Sequence, residues 1–138
     1  MADQVAGSKV YLDSCAVCHM TDGSGVPGMQ PALDGDPVVG GDPGQLIRLI
    51  LQGPAKVLPA DRPIFSSTMP AFDQLTDQQI AGLLTYVREQ YGGKASVIKP
   101  EQVAVERVKV HQDNRTSSGD ERAAGICLRR CLAGAPQQ

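Results

Sequence analysis

Tryptophan is absent from this sequence, and three tyrosines and two phenylalanines are its whole aromatic content, 4% of 138 residues. With an apolar fraction of 41% and so few large rings, side chains alone build a thin core, because hydrophobic stabilisation follows the apolar area removed from water. A large flat apolar body from outside the chain would complete it. Histidine is almost as scarce, with His19 and His111 the two present. No paired-carboxylate motif stands beside them, which leaves hydrolytic or acid–base catalysis little support.

Long apolar runs are missing too. No segment reaches the roughly 18 residues that a membrane-crossing helix needs, and Met1-Ala2-Asp3-Gln4 opens without a basic or apolar leader region. Nor is there an excess of positive charge. Thirteen Lys and Arg against fifteen Asp and Glu leave a net charge of -2, and nothing resembles the basic footprint of a nucleic-acid binder. The balance is uneven along the chain: residues 1–96 carry six basic against ten acidic side chains, and residues 97–138 carry seven against five.

What is present is a set of short helical patterns separated by long loops, the pattern of an all-α protein. Residues 3–14 read as a helix with apolar Val5, Ala6, Val10, Tyr11 and Leu12. Gly, Pro and Asp crowd residues 21–41 and predict an irregular loop. Asp42-Pro43-Gly44-Gln45 has a capping residue followed by proline at the first helical position, and Gly53-Pro54 ends the helix it opens. Residues 54–75, with four prolines and Met69, return to loop. Thr76 and Gln79 then form a capping box for a helix over 77–91, striped by Ile80, Leu83, Leu84, Val87 and Tyr91. A further short helix is expected over Glu101–Val110. The expected organisation is a domain over 1–96, a short helical extension over 97–112, and a tail over 113–138 whose Ser, Gly, Arg and Ala composition favours disorder.

The chemistry sits at Cys15-Ala16-Val17-Cys18-His19. In a Cys-x-x-Cys-His string two thiols join the two vinyl groups of a haem, and the adjacent imidazole reaches the iron from the same side. Cys-x-x-Cys alone also suits zinc or a redox-active dithiol, but zinc needs two further ligands. Cys127 and Cys131 lie over a hundred residues away and have no following histidine, so a second haem is not expected there; they could pair with each other or between chains. Four methionines could supply a sixth ligand. Met1 is terminal, Met20 adjoins His19, and Met29 follows ten residues later. Met69 stands fifty residues from His19, enough chain to pass around a haem edge, although a methionine there can also simply fill a core.

These residues resemble a class I c-type cytochrome over about residues 5–95, with Gly7 and Tyr11 eight and four residues before the first cysteine. The resemblance implies that Gly7 and Tyr11 meet Leu83 and Tyr86 in a contact between first and last helices. It also implies that the Pro31 carbonyl accepts the N–H of His19, although Gln30 stands where the family usually has glycine. The fold implied is all-α, with short helices and long loops around one covalent haem c. Cys15 and Cys18 would carry the thioethers, and His19 and Met69 would be the axial ligands. Asp42–Arg48, Met69–Phe72 and Leu84–Arg88 resemble, more narrowly, cytochrome domains serving bacterial quinoprotein or flavoprotein alcohol and sugar dehydrogenases.

The function expected is periplasmic electron transfer between such a dehydrogenase and an acceptor such as a terminal oxidase, with the leader already removed. The alternative is a haem enzyme or gas or redox sensor whose Met69 dissociates. Arg48 could pair with a haem propionate, or stand as an exposed helix arginine.

Overall fold

The first helix is decided by what stands against it. In the computed structural model, which describes residues 2–93 and 96–117, α1 (Ala2–Ser14) packs on α5 (Asp77–Tyr91) in the largest helix–helix contact among the described residues. Glycine at position 7 makes this possible. A Cβ there would collide with the backbone carbonyl of Gly82 and lie 3.2 Å from Leu83 N. The sequence pointed to Leu83 and Tyr86 as partners. Tyr86 does meet Tyr11, with ring centroids 5.6 Å apart, and Leu83 stands at the Gly7 contact, but the atom nearest Gly7 is the Gly82 carbonyl oxygen, so two glycines facing each other set the close approach.

α5 forms as its sequence dictates. Thr76 accepts from Gln79 N while the Gln79 side chain accepts from Thr76 N, at 3.1 and 2.9 Å, so two otherwise orphaned donors are satisfied. The stripe that follows is almost completely buried, with Ile80, Leu83 and Leu84 at 0%, 1% and 1% exposure. All three tyrosines of the chain gather beside it. Tyr91 lies 5.6 Å from Tyr11 and 6.3 Å from Tyr86, centroid to centroid.

α3 (Pro43–Gln52) opens with Asp42 accepting from Gly44 N and Gln45 N and closes at Gly53, whose φ of +87° suits glycine. Its Leu46, Ile47, Leu49, Ile50 and Leu51 are buried. Directly after it comes α4 (Pro54–Val57), where a loop was expected. Pro54 at the first helical position explains the single turn, since proline's fixed φ suits that position and its missing N–H costs nothing there.

α6 (Pro100–Ser117) extends beyond the Val110 at which the sequence pattern ended it, and through residues 113–117 of the expected tail. No Gly or Pro interrupts 101–117, so polar residues continue the hydrogen-bond ladder even where the apolar pattern has lapsed. Cys127, Cys131 and the tail beyond residue 117 lie outside the described residues. The chain divides into two compact units, Met1–Arg107 and Val108–Gln138. The first holds α1 to α5 and the opening turns of α6, and the described part of the second is helical, with His111 exposed. Among the described residues no helix is long and apolar enough to cross a membrane, and there is no strand, only an isolated bridge between Val26 and Gln30.

Candidate functional site

Spacing and helical geometry together place the cysteine motif. Cys15 N donates to Tyr11 O at 2.8 Å, which carries the ladder from α1 into α2 (Ala16–His19), and His19 N donates to Cys15 O at 2.8 Å. Residues four apart on a helix share a face. Cys15 and His19 are accordingly both buried, at 8% exposure each, while Cys18 is exposed.

The short helix then stops sharply. Met20 has φ +65°, the one described residue other than glycine with positive φ, a conformation that costs of order 1–3 kcal/mol. Its carbonyl receives the Tyr11 hydroxyl at 2.6 Å, and the Tyr91 hydroxyl donates to the neighbouring Thr21 O at 3.1 Å. Burial raises the pKa of both phenols, so both remain donors. The strained turn is thus held from behind by tyrosines from both ends of the domain.

Beyond the turn the chain folds back on His19. Nδ1 of His19 lies 3.0 Å from the carbonyl oxygen of Pro31. A carbonyl only accepts, so Nδ1 carries the proton and the Nε2 lone pair is left for a metal. Gly25 makes room for this arrangement. It has φ +65°, its N–H donates to His19 O at 3.1 Å, and a Cβ there would lie 2.6 Å from the carbonyl oxygens of both Gln30 and Pro31. Sequence reasoning missed Gly25; the signal was a glycine between His19 and the proline whose carbonyl it meets. Gln30 turns its side-chain amide to Ser67 Oγ at 2.9 Å, two residues before Met69.

Two cavities meet at these residues. One is lined by Tyr11, Cys15, His19 and Met69 and by apolar side chains of α3 and α5, among them Leu46, Ile50, Leu83 and Leu84. The other is lined by Cys15, Cys18, His19, Pro31, Met69 and Phe72 among others. Both cavities therefore include Cys15, His19 and Met69, and the second adds Cys18 and Pro31. Asp36 is the one acidic residue of the larger lining; it accepts from Val38 N at 2.8 Å. Burial pushes the Cys15 thiol up to about 11, so it is uncharged at neutral pH among these apolar neighbours. A soft sulfur donor, an imidazole with its lone pair free and two thiols around an apolar slot fit a haem c.

Two arginines take unforeseen places. Arg48 is not a free exposed residue: it pairs with Glu106 of α6 at 2.8 Å. Arg88, only 4% exposed, donates to Val39 O at 3.2 Å, to Gly41 O at 2.7 Å and to Ser96 Oγ at 3.1 Å. It thereby fixes the loop that brings Val39 to the cavity wall. Nothing in the sequence separates an arginine of this kind from a solvated one.

The chain is 37% identical over 121 residues to the "Gluconate 2-dehydrogenase cytochrome c subunit" of Pantoea cypripedii, a match covering 81% of this chain and 27% of that protein. It is 41% identical over 93 residues to the "Alcohol dehydrogenase (quinone), cytochrome c subunit" of Gluconobacter oxydans (strain 621H), covering 65% of this chain and 19% of that protein. The chain thus spans about a quarter or less of the length of these dehydrogenase subunits. With "Cytochrome c-552" of Thermus thermophilus it shares 28% identity over 129 residues, 78% of this chain and 98% of that one. Residues 4–90 match the family described as "Cytochrome c". With an all-α fold and a donor set suited to the group, the chain belongs to the cytochrome c family of electron-transfer proteins, as a class I c-type cytochrome whose cofactor is a covalently bound haem c.

Proposed function

We propose that this chain is a periplasmic one-electron carrier that receives electrons from a dehydrogenase and passes them to a downstream acceptor such as a terminal oxidase. It performs no substrate chemistry of its own. Cys15 and Cys18 would hold the haem by thioether bonds, His19 and Met69 would ligate its iron, and Pro31 would orient His19. The observation that carries this reading is the His19 Nδ1 contact to Pro31 O at 3.0 Å, which leaves Nε2 free at a cavity that Met69 also lines.

Bound haem supplies a one-electron couple at its iron. The chain's residues set the conditions for it. Accepting the Nδ1 proton, the Pro31 carbonyl makes His19 a stronger donor and favours the oxidised metal, whereas the neutral thioether of Met69 favours the reduced one. Donors held in place by the surrounding fold move little between the two states. Leucine and isoleucine side chains of α3 and α5 line the inner face, where they would keep water from a bound haem. Held in this way, the haem would exchange an electron with a partner without any substrate entering.

A dehydrogenase donor is supported by the two relatives that are themselves cytochrome subunits of gluconate and alcohol dehydrogenases. Three measurements test the reading together. The alkaline pyridine haemochrome should have c-type thioether character. The oxidised protein should show the red-edge methionine-to-iron charge-transfer band. Stopped-flow mixing with a reduced quinone- or flavin-dependent sugar or alcohol dehydrogenase should reduce it. Carbon monoxide binding by the reduced protein, with the band absent, would instead favour an enzyme or sensor with a dissociable Met69.

A further inference from the structure

Met69 sits in a loop fastened on both sides. Upstream, the backbone N–H groups of Ser66 and Ser67 donate to Gly28 O at 2.9 Å and to Met29 O at 3.1 Å, alongside the bond from Gln30 to Ser67. Downstream, Phe72 N donates to Ile50 O of α3 at 2.7 Å. From there the chain runs through residues 73–76 into α5, and three acceptors of this stretch face one guanidinium. Arg107 of α6 donates from Nε to Asp77 Oδ1 at 2.9 Å, from Nη1 to Asp73 O at 2.8 Å and from Nη2 to Leu75 O at 2.7 Å.

Two of these acceptors are main-chain carbonyls, so the grip fixes the path of the chain itself. It also requires a planar fork, since an ammonium cannot span three separated acceptors in one plane. The preceding residue strengthens the arrangement. Glu106, 11% exposed in its side chain, holds Arg48 of α3, and Gly44 makes room for it, because a Cβ there would stand 2.9 Å from Glu106 Oε1. One turn of α6 is thereby tied to α3 and to the segment that follows Met69. Arg107 lies outside residues 4–90, the stretch that matches the family.

We propose that Arg107 is a positioning residue for Met69, an inference that rests on the reading of Met69 as an iron ligand. A thioether is a weak neutral donor, so its ligation depends on how well the loop is preorganised. Releasing residues 73–77 lets the loop leave the iron more often. A competing ligand then binds more tightly, in proportion to the time the position is open.

The test is imidazole titration of the full-length ferric holoprotein, followed by loss of the red-edge charge-transfer band, with the thermal midpoint measured in parallel. Arg107→Ala should bind imidazole about tenfold more tightly than wild type. Arg107→Lys should lie closer to the alanine variant than to wild type. Asp77→Asn keeps both carbonyl contacts and should change affinity only about twofold, because its ion pair is partly exposed. Wild-type imidazole affinity in Arg107→Ala, with only a lower thermal midpoint, overturns the proposal. If that variant yields no holoprotein, wild-type affinity in Arg107→Lys does so. Met69→Ala separates the two levels. A band that survives in Met69→Ala removes the ligand reading itself, whereas a band lost there beside unchanged affinity in the Arg107 variants removes only the positioning role.

Discussion

The two walls of the cavity that carry His19 and Met69 are built differently. The side bearing His19 is assembled from neighbours in sequence: Cys15 to His19 is one helical turn, and His19 to Pro31 spans 12 residues. The side bearing Met69 depends on distant partners, with Gln30 and Ser67 separated by 37 residues. In loop-closure entropy alone the longer separation costs only about 1 kcal/mol more. The consequential difference lies in what is buried behind each side. Behind the turn that follows His19 stand Tyr11 and Tyr91, on the two helices that Gly7 and Gly82 let approach closely, while the Met69 loop is held by individual hydrogen bonds that can be lost one at a time. Damage on the histidine side should therefore appear as lost stability, and damage on the methionine side as altered ligation.

Gly7→Val tests the first half of this contrast most severely. Its side chain would be driven into the Gly82 carbonyl on α5, which is backbone and cannot swing aside, so a loss of about 3 kcal/mol or more is expected in denaturant unfolding. A loss below about 1 kcal/mol would show that α1 and α5 can separate without damage.

Gly25→Ala should cost about 2 kcal/mol, since an alanine there is strained at φ +65° and crowds the Pro31 carbonyl. It should also raise the reduction potential. Pushing that carbonyl away makes His19 a poorer donor and leaves the oxidised iron less stabilised. A potential that falls or stays put would break the link between Pro31 and His19.

Ser67→Ala is the mildest test and is aimed at the other side. Removing the hydroxyl that receives Gln30 should lower global stability by only about 0.5–1 kcal/mol, while the charge-transfer band weakens on warming well below the unfolding transition. Simultaneous loss of band and fold would mean that the methionine side is as tightly coupled to the core as the histidine side.

The distinction also explains what could be read in advance. The caps at Asp42 and Thr76, the stripe on α5 and the Cys15–His19 string are local patterns, visible because a helix brings together residues three or four apart. Gly7 was visible as a helix glycine, but its counterpart Gly82 was not, because that pairing depends on how α1 and α5 meet. Arg48 and Arg88 illustrate the same limit. An arginine on a helix has no sequence mark that says whether its guanidinium will reach Glu106, as Arg48 does, or the carbonyls of Val39 and Gly41, as Arg88 does. α4 and the last turns of α6 escaped notice for another reason: neither has a clear apolar stripe.

From Cys15-Ala16-Val17-Cys18-His19 the sequence by itself determined the haem c chemistry, because one helical turn brings the two cysteines and the histidine together. Tertiary structure decided how the remaining donors are arranged. The fold orders the residues between Met20 and Pro31, gathers Met69 at the same cavity, and fastens the segment after it with Arg107. Each of these depends on backbone carbonyls that face a partner only after distant segments have packed, and no residue spacing encodes that.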